Sequence, residues 1–194
     1  ESLKQDPLKF DLGSILETRY IPIVRLIRET EKPFVCAVNG IAAGAGANIA
    51  LACDFVIASE EAWFTQAFAK VGLIPDSGGT FFLPRLVGFS KATEMMMLGE
   101  KVTAKEAVTM QMIYKCCPHK TFLSEAEQLA SRLGQQATIA LGLIKRALNR
   151  SLGSDFNGQL NFECDLQRMA GHTADFAEGI VAFVGKRAAK FQGK

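Results

Sequence analysis

The sequence predicts a mixed α/β fold with a helical C-terminal part, and three observations carry that expectation. Short apolar runs at Phe34–Val38 and Phe55–Ala58 alternate with helical segments, the pattern of strands in a parallel sheet covered by helices. Small-residue and glycine-rich turns follow those runs at Gly40–Asn48 and Gly72–Thr80. From Ser124 onward the periodicity is helical without a break. The shift in composition near residue 120 divides an α/β part, residues 1–120, from an all-helical part, residues 121–194.

In chain order, residues 1–13 are polar and predict no element. Ser14 to Glu31 places Leu16, Tyr20, Val24 and Ile27 at helical spacing, with Pro22 as an irregularity and Pro33 as the stop. Phe34–Val38 reads as a strand ending at Gly40, and Ile41–Asn48 as a loop opening a short helix that runs to Cys53. Phe55–Ala58 and Trp63–Gln66 read as further strands. Asp76 or Ser77 is placed to cap a helix that ends near Pro84–Gly88, and Gly99 closes a helix over Ser90–Leu98. Thr103 and Glu106 form a capping-box pattern that opens a helix to about Gln111. Met112–Cys117 reads as a strand ended by Pro118. Helices are expected over residues 124–133, 137–150, 155–170 and 174–187.

Composition excludes several classes of function. The chain has 194 residues and a net charge of +2, with scattered and balanced charges that leave no nucleic-acid footprint. A chain of this length buries roughly 70% of its unfolded surface and needs neither metal nor disulfide for stability. The five cysteines form no C-x-x-C pair, which argues against a zinc site and for a reducing compartment such as the cytoplasm. Cys36 and Cys53 lie in apolar runs and read as small buried hydrophobes. No apolar run is long enough to cross a membrane, and no signal peptide is seen. The polar opening without an initiator Met reads as a fragment or a processed start.

The chemistry concentrates between Lys32 and Arg85. A small-residue loop opening a helix leaves backbone N–H groups free to meet a negatively charged oxygen. Ala45 is the candidate donor, with Gly44 and Gly46 letting backbone approach closely; a tight turn needs the same residues. A dinucleotide loop is a weaker reading, because Ile49 stands where a third small residue belongs. Asp76 supplies a carboxylate, as general base or as a plain helix cap. An oxyanion site with one carboxylate suffices to move a proton beside a carbonyl. Ile74, Phe68, Phe81 and Phe82 are expected to surround Asp76 and raise its pKa. Asn48 can bond substrate or water, or serve the helix. Trp63 and Phe68 line an acyl pocket or fill the core. His119 and His172 read as isolated, and Ser77 lacks the G-x-S-x-G context of a hydrolase.

These residues also resemble a known family. Pro33-Phe-Val-Cys-Ala-Val-Asn-Gly40, Ala43-Gly-Ala-Gly46 with Leu51-Ala-Cys-Asp54, Gly72-Leu-Ile-Pro-Asp-Ser-Gly-Gly-Thr80 and Phe183-Val-Gly-Lys-Arg187 are similar, in order, to segments of the crotonase superfamily of enoyl-CoA hydratases and isomerases. Within it, Leu73-Ile-Pro-Asp76, Leu141-Gly-Leu-Ile-Lys145 and Ala174-Asp-Phe-x-Glu-Gly179 most resemble the epoxyphenylacetyl-CoA isomerases of phenylacetate catabolism. The resemblance implies a crotonase-type ββα spiral and a C-terminal trimerisation region. It also implies N-terminal strands, and a second oxyanion loop, upstream of this sequence.

By the same resemblance the protein is an acyl-CoA enzyme forming trimers or hexamers, with CoA as part of the substrate and no metal or redox cofactor. The two glutamates of the hydratases fall on Asn48 and Phe68, so the expected activity is isomerisation with Asp76 as the acid/base and Ala45 N–H in the oxyanion hole. Gly44, Gly46, Asn48, Trp63, Phe68 and Gly78 are the expected substrate-binding residues, with Phe183 and Lys186 reaching the CoA of a neighbouring subunit. Hydration, and acyl-CoA binding without turnover, are the alternatives.

Overall fold

A computed structural model describes residues 11–194. The first helical stretch comprises α1 (Leu12–Ile15) and α2 (Ile21–Glu29), joined by a wider turn over Leu16–Tyr20 in which the Ile21 N–H reaches back five residues to the Leu16 carbonyl. The widening immediately precedes Pro22, whose ring cannot fit against a regular preceding turn. The expected irregularity therefore lies where the sequence puts it.

Two small sheets follow. Strands β1 (Val35–Val38), β3 (Phe55–Ser59) and β6 (Lys115–Cys117) form a parallel sheet in the order β1-β3-β6, with Val35 opposite Phe55 and Ala58 opposite Cys116. Strand β3 is buried on both faces. Val56 and Ala58 point into the main core, while Ile57 packs with Cys117, Phe122, Ala126 and Leu129 under helix α7 (Phe122–Gly134). Coverage on both sides explains why this strand reads as an unbroken apolar run.

The second sheet pairs β2 (Ile41–Ala43) in parallel with β4 (Trp63–Thr65), which in turn pairs antiparallel with β5 (Val102–Thr103). Strand β2 corrects the expected loop. Ile-Ala-Ala has little strand character of its own, and the β4 backbone alongside supplies the pairing. A short 3₁₀ turn, Ala67–Val71, follows β4.

Helix α3 (Ala45–Ala52) runs from the end of β2 back toward β3. Helix α4 (Gly79–Val87) begins at a Gly78 cap with no side-chain bond, so neither Asp76 nor Ser77 caps it as expected. Helix α5 (Phe89–Leu98) is closed by Gly99, and α6 (Ala104–Thr109) opens with the expected Thr103–Glu106 capping box. The expected strand over 112–117 shortens because the Met112 and Ile113 N–H groups both turn back to the Ala107 carbonyl.

Three more helices complete the chain: α8 (Thr138–Ser151), α9 (Phe156–Gly171) and α10 (Ala174–Val184). The last ends at Gly185, short of the expected 187. Helix α8 is clasped to the α/β part by a polar knot. Lys145 Nζ, almost fully buried, donates to the Asp54 carboxylate at 2.7 Å and to the carbonyls of Ile27 and Lys32 at 2.5 and 3.0 Å. Arg28 donates to the other Asp54 oxygen at 3.1 Å and to the Ala52 carbonyl at 3.0 Å, and it also meets Asn149 of α8.

Two sequence readings of side chains are corrected. His119 is not isolated: its Nδ1 lies 3.0 Å from Ser59 Oγ and 3.6 Å from Glu61 Oε2. Both partners face the same ring nitrogen and Ser59 is fully buried, so the group is a structural clasp and not a nucleophile with its base. Cys36 and Cys53 are half-buried rather than buried, and their thiols interact. That contact and burial push the Cys53 thiol up, while the same contact lowers Cys36.

Candidate active site

The site is built around the first turn of α3. Gly44 adopts φ +53°, ψ −123°, a conformation closed to residues with a Cβ. Its N–H donates to the Thr65 carbonyl at 2.9 Å, which hangs the start of α3 on the end of β4. The Phe68 ring packs against Gly44, 3.4 Å from where a Cβ would stand. Asn48 N–H makes the first bond of the helix, to the Gly44 carbonyl at 3.1 Å. The N–H groups of Ala45 and Gly46 therefore precede the hydrogen-bonded ladder, on the half-buried to exposed end of the helix, with the positive end of its dipole behind them.

The second component is the turn ahead of α4. Asp76 is half-buried, and its carbonyl accepts from Gly79 N–H and from Asn48 Nδ2, both at 2.8 Å. Asn48 sits one turn into α3, about 5 Å along the axis from Ala45. The acid-bearing turn is thus tied to α3 one helical turn from the N–H groups that open it. Asp76 Oδ1 accepts from Ser77 Oγ at 2.8 Å. Gly78, at φ +81°, lies against the Phe82 ring.

Asn48 is fully buried and both of its polar atoms are engaged, since its Oδ1 also accepts from Gln66 Nε2 at 2.7 Å. Phe68 is buried. Trp63 lies two residues back along β4 from Thr65, with the Lys101 ammonium 4.9 Å from its ring centroid. Ile74 is 80% exposed and Phe81 41%, so these two do not enclose the Asp76 carboxylate as expected. Phe183 and Lys186 stand apart at the end of α10, a helix that packs on α9; Phe183 is 83% exposed.

An apolar pocket of about 430 Å³, lined by Phe82, Leu86, Ile144, Leu148 and Arg28 among others, opens at the opposite end of α3, around Cys53 and Asp54, and does not include Asp76. Among the described residues no group of His, Cys, Asp or Glu could hold a metal ion. The sequence reading gave Gln66 only as the end of a strand and Ser77 only as a helix cap without hydrolase context, and assigned neither a place in the site. The signal for Gln66 was a polar residue ending the buried run Trp63-Phe64-Thr65. Nothing in the sequence marks Ser77, at φ +51°, as the residue that meets the carboxylate.

Helix N-terminal N–H groups and a carboxylate on a turn tied to the same helix are, among the described residues, the equipment for stabilising a developing oxyanion. Residues 11–194 match the enoyl-CoA hydratase/isomerase family, and the chain belongs to that family, with the crotonase fold. It is 46% identical over 184 residues to the 1,2-epoxyphenylacetyl-CoA isomerase of Escherichia coli K12, covering 95% of this chain and 70% of that protein. A probable enoyl-CoA hydratase of Rhodobacter capsulatus is 41% identical, with 95% of this chain and 72% of that protein covered. Among solved structures, an enoyl-CoA hydratase/isomerase from Mycobacterium abscessus superposes with a TM-score of 0.93 at 30% identity, covering all of this chain and 74% of its own.

Proposed function

We propose that this chain carries the catalytic turn of an acyl-CoA isomerase. The substrate is an unsaturated or ring-epoxidised acyl thioester, and Asp76 is its single acid/base. The observation that carries the reading is the composition of the site. Of Gly44–Asn48, Gln66–Phe68 and Asp76–Gly79, Asp76 alone is ionisable. Hydration by acid/base chemistry needs a group to activate water and another to deliver a proton; isomerisation needs one group that takes a proton and gives it back.

In a 3-enoyl thioester, Asp76 takes the proton from C2, the carbon between the double bond and the carbonyl. The electron pair moves onto the thioester oxygen, where the Ala45 N–H, and Gly46 beside it, stabilise the enolate. The electron pair then returns through the chain, Asp76 delivers the same proton to C4, and the double bond lies between C2 and C3. Gly44, Gly78 and Phe68 shape the walls, and Trp63 contributes further along β4. CoA enters as part of the substrate, and the proposal uses no metal or redox cofactor. The isomerase names among the relatives, 1,2-epoxyphenylacetyl-CoA isomerase and the trans-2-decenoyl-[acyl-carrier-protein] isomerase of Streptococcus mutans, support this chemistry.

We also propose assembly as a homotrimer or hexamer in the cytoplasm. Phe156 on α9 and Phe176, Val181, Phe183 and Val184 on α10 are all more than half exposed, apolar surface suited to self-association that would bring Phe183 and Lys186 to a neighbour's CoA.

Hydration is the second reading, favoured by the hydratase names among the relatives. The spare carboxylates Glu60 and Glu61 lie beyond β3, facing Lys105 and His119. The test is turnover of a 3-enoyl-CoA beside hydration of a 2-enoyl-CoA, by wild type and Asp76→Asn. Isomerisation that falls about 10²–10⁴-fold in the variant, without hydration, supports the proposal. Hydration, or full isomerisation by Asp76→Asn, overturns it. Acyl-CoA binding without turnover identifies a binding protein instead.

A further inference from the structure

We infer that Asn48 is a positioning residue that sets the acid-bearing turn against the oxyanion helix. This rests on the reading of Asp76 as the acid/base. The main-chain carbonyl of Asp76 has two lone pairs, and both are used: one by Gly79 N–H, within its own turn, and one by Asn48 Nδ2 of α3. The first bond shapes the turn. The second fastens it to the helix that carries the Ala45 and Gly46 N–H groups.

The direction of the chain is fixed by chemistry. A carbonyl only accepts, so Asn48 must present its NH₂ to Asp76 and its oxygen to Gln66. Gln66 must in turn present its NH₂ to Asn48, and its Oε1 is buried without a protein partner among the described residues. The two amides are thereby fixed in one orientation, with the Asn48 NH₂ aimed at Asp76. The space is equally specific. A Cβ on Gly79 would stand 2.6 Å from Asn48 Cγ, so the start of α4 is closed down onto the amide.

Only an amide fits this role. An ionised carboxylate at position 48 has no donor and would face the Asp76 carbonyl oxygen with its own negative charge. Asn48 therefore determines which of two designs the fold can host: a turn tied through a main-chain carbonyl, or a second carboxylate in the site.

The test uses Asn48→Asp, which preserves shape and removes the donor, and Gly79→Ala, which displaces the amide without changing it. Each is measured on the whole chain by steady-state isomerisation of a 3-enoyl-CoA and by amide hydrogen exchange across residues 76–80. Both variants are expected to lower kcat by about 10²-fold, the cost of a misplacement on the order of 1 Å, with KM changed less than about threefold. Exchange at 76–80 should rise, while exchange in α7 and α8 is unchanged, which shows that the fold is retained. Unchanged exchange at 76–80 in both variants overturns the tether whatever the rates do, and raised exchange with unchanged kcat overturns its role in positioning. Asp76→Asn is run alongside. If it retains turnover, the acid/base reading falls while the exchange data still decide the tether.

Discussion

Ser77 donates its hydroxyl to Asp76 Oδ1 at 2.8 Å while its own backbone stands at φ +51°. A non-glycine residue in the left-handed region costs on the order of 1 kcal/mol and persists where something else requires it. Here the conformation goes with the hydroxyl's bond to the Asp76 carboxylate. Ser77→Gly should therefore move stability and activity in opposite directions. The midpoint of denaturant unfolding is expected to rise by about 1 kcal/mol equivalent, while kcat in the proposed isomerisation falls about tenfold as the carboxylate loses its anchor. Movement of both in the same direction would show that the backbone strain has no functional purpose.

Gly44 is constrained more tightly. Its φ and ψ, +53° and −123°, are closed to alanine, while a Cβ would meet the Phe68 ring only at ordinary contact distance, 3.4 Å. Gly44→Ala is expected to cost about 1–3 kcal/mol and to reduce turnover more than substrate affinity, because the first N–H groups of α3 must turn to relieve the strain. Urea unfolding and steady-state kinetics on one preparation measure both.

The Lys145–Asp54–Arg28 knot predicts stability without chemistry. Asp54 Oδ2 accepts from Lys145 at 2.7 Å and from Phe34 N–H at 2.8 Å, so removing the carboxylate leaves a buried ammonium with two carbonyls and the Phe34 ring but no counter-charge. Asp54→Ala should destabilise the fold by about 3–5 kcal/mol, and Lys145→Met by a similar amount. The double variant should cost less than the sum of the singles. Chemical denaturation of the four proteins completes the cycle; strict additivity would deny the coupling.

The segment after α10 carries a pH-dependent strap. Arg187 pairs with Glu178, and Lys190 N–H donates to the same carboxylate at 2.7 Å. Together they hold the Glu178 carboxyl at about 2, down from an ordinary 4.5. A carboxyl depressed in the folded state stabilises it above the unfolded value and loses that contribution as pH falls through the folded one. The strap should thus be fully formed above about pH 4.5 and released toward pH 2. The Lys190 amide resonance should titrate with a midpoint near 2, and Arg187→Ala should raise it toward 4.5. A midpoint already at 4.5 in the wild type would show that the strap is not formed in solution.

Much of the frame was legible in the sequence because local chemistry decides it. The Thr103–Glu106 box, the Gly99 stop, the helices after residue 121 and the twice-covered strand β3 each follow from side-chain type and period. What escaped was local structure made by distant partners. Strand β2 exists because β4 lies beside it, and α4 begins without a side-chain cap because the Asp76 and Ser77 side chains meet each other instead.

By itself, the sequence determined the mixed α/β class with its C-terminal helices and the family, and it supplied the expectations for the site, with Asp76 as the acid/base and Asn48 and Phe68 beside it. Periodicity, turn chemistry and residue type are properties of the chain, and they survive without coordinates. Only the tertiary structure decided what those residues do to one another. It joined Gln66 and Asn48 to the main-chain carbonyl of Asp76, paired His119 with Ser59, and brought Lys145 across 91 residues to Asp54. Hydrogen bonds act over about 3 Å and are indifferent to sequence separation, so such contacts exist only once the core has closed around them.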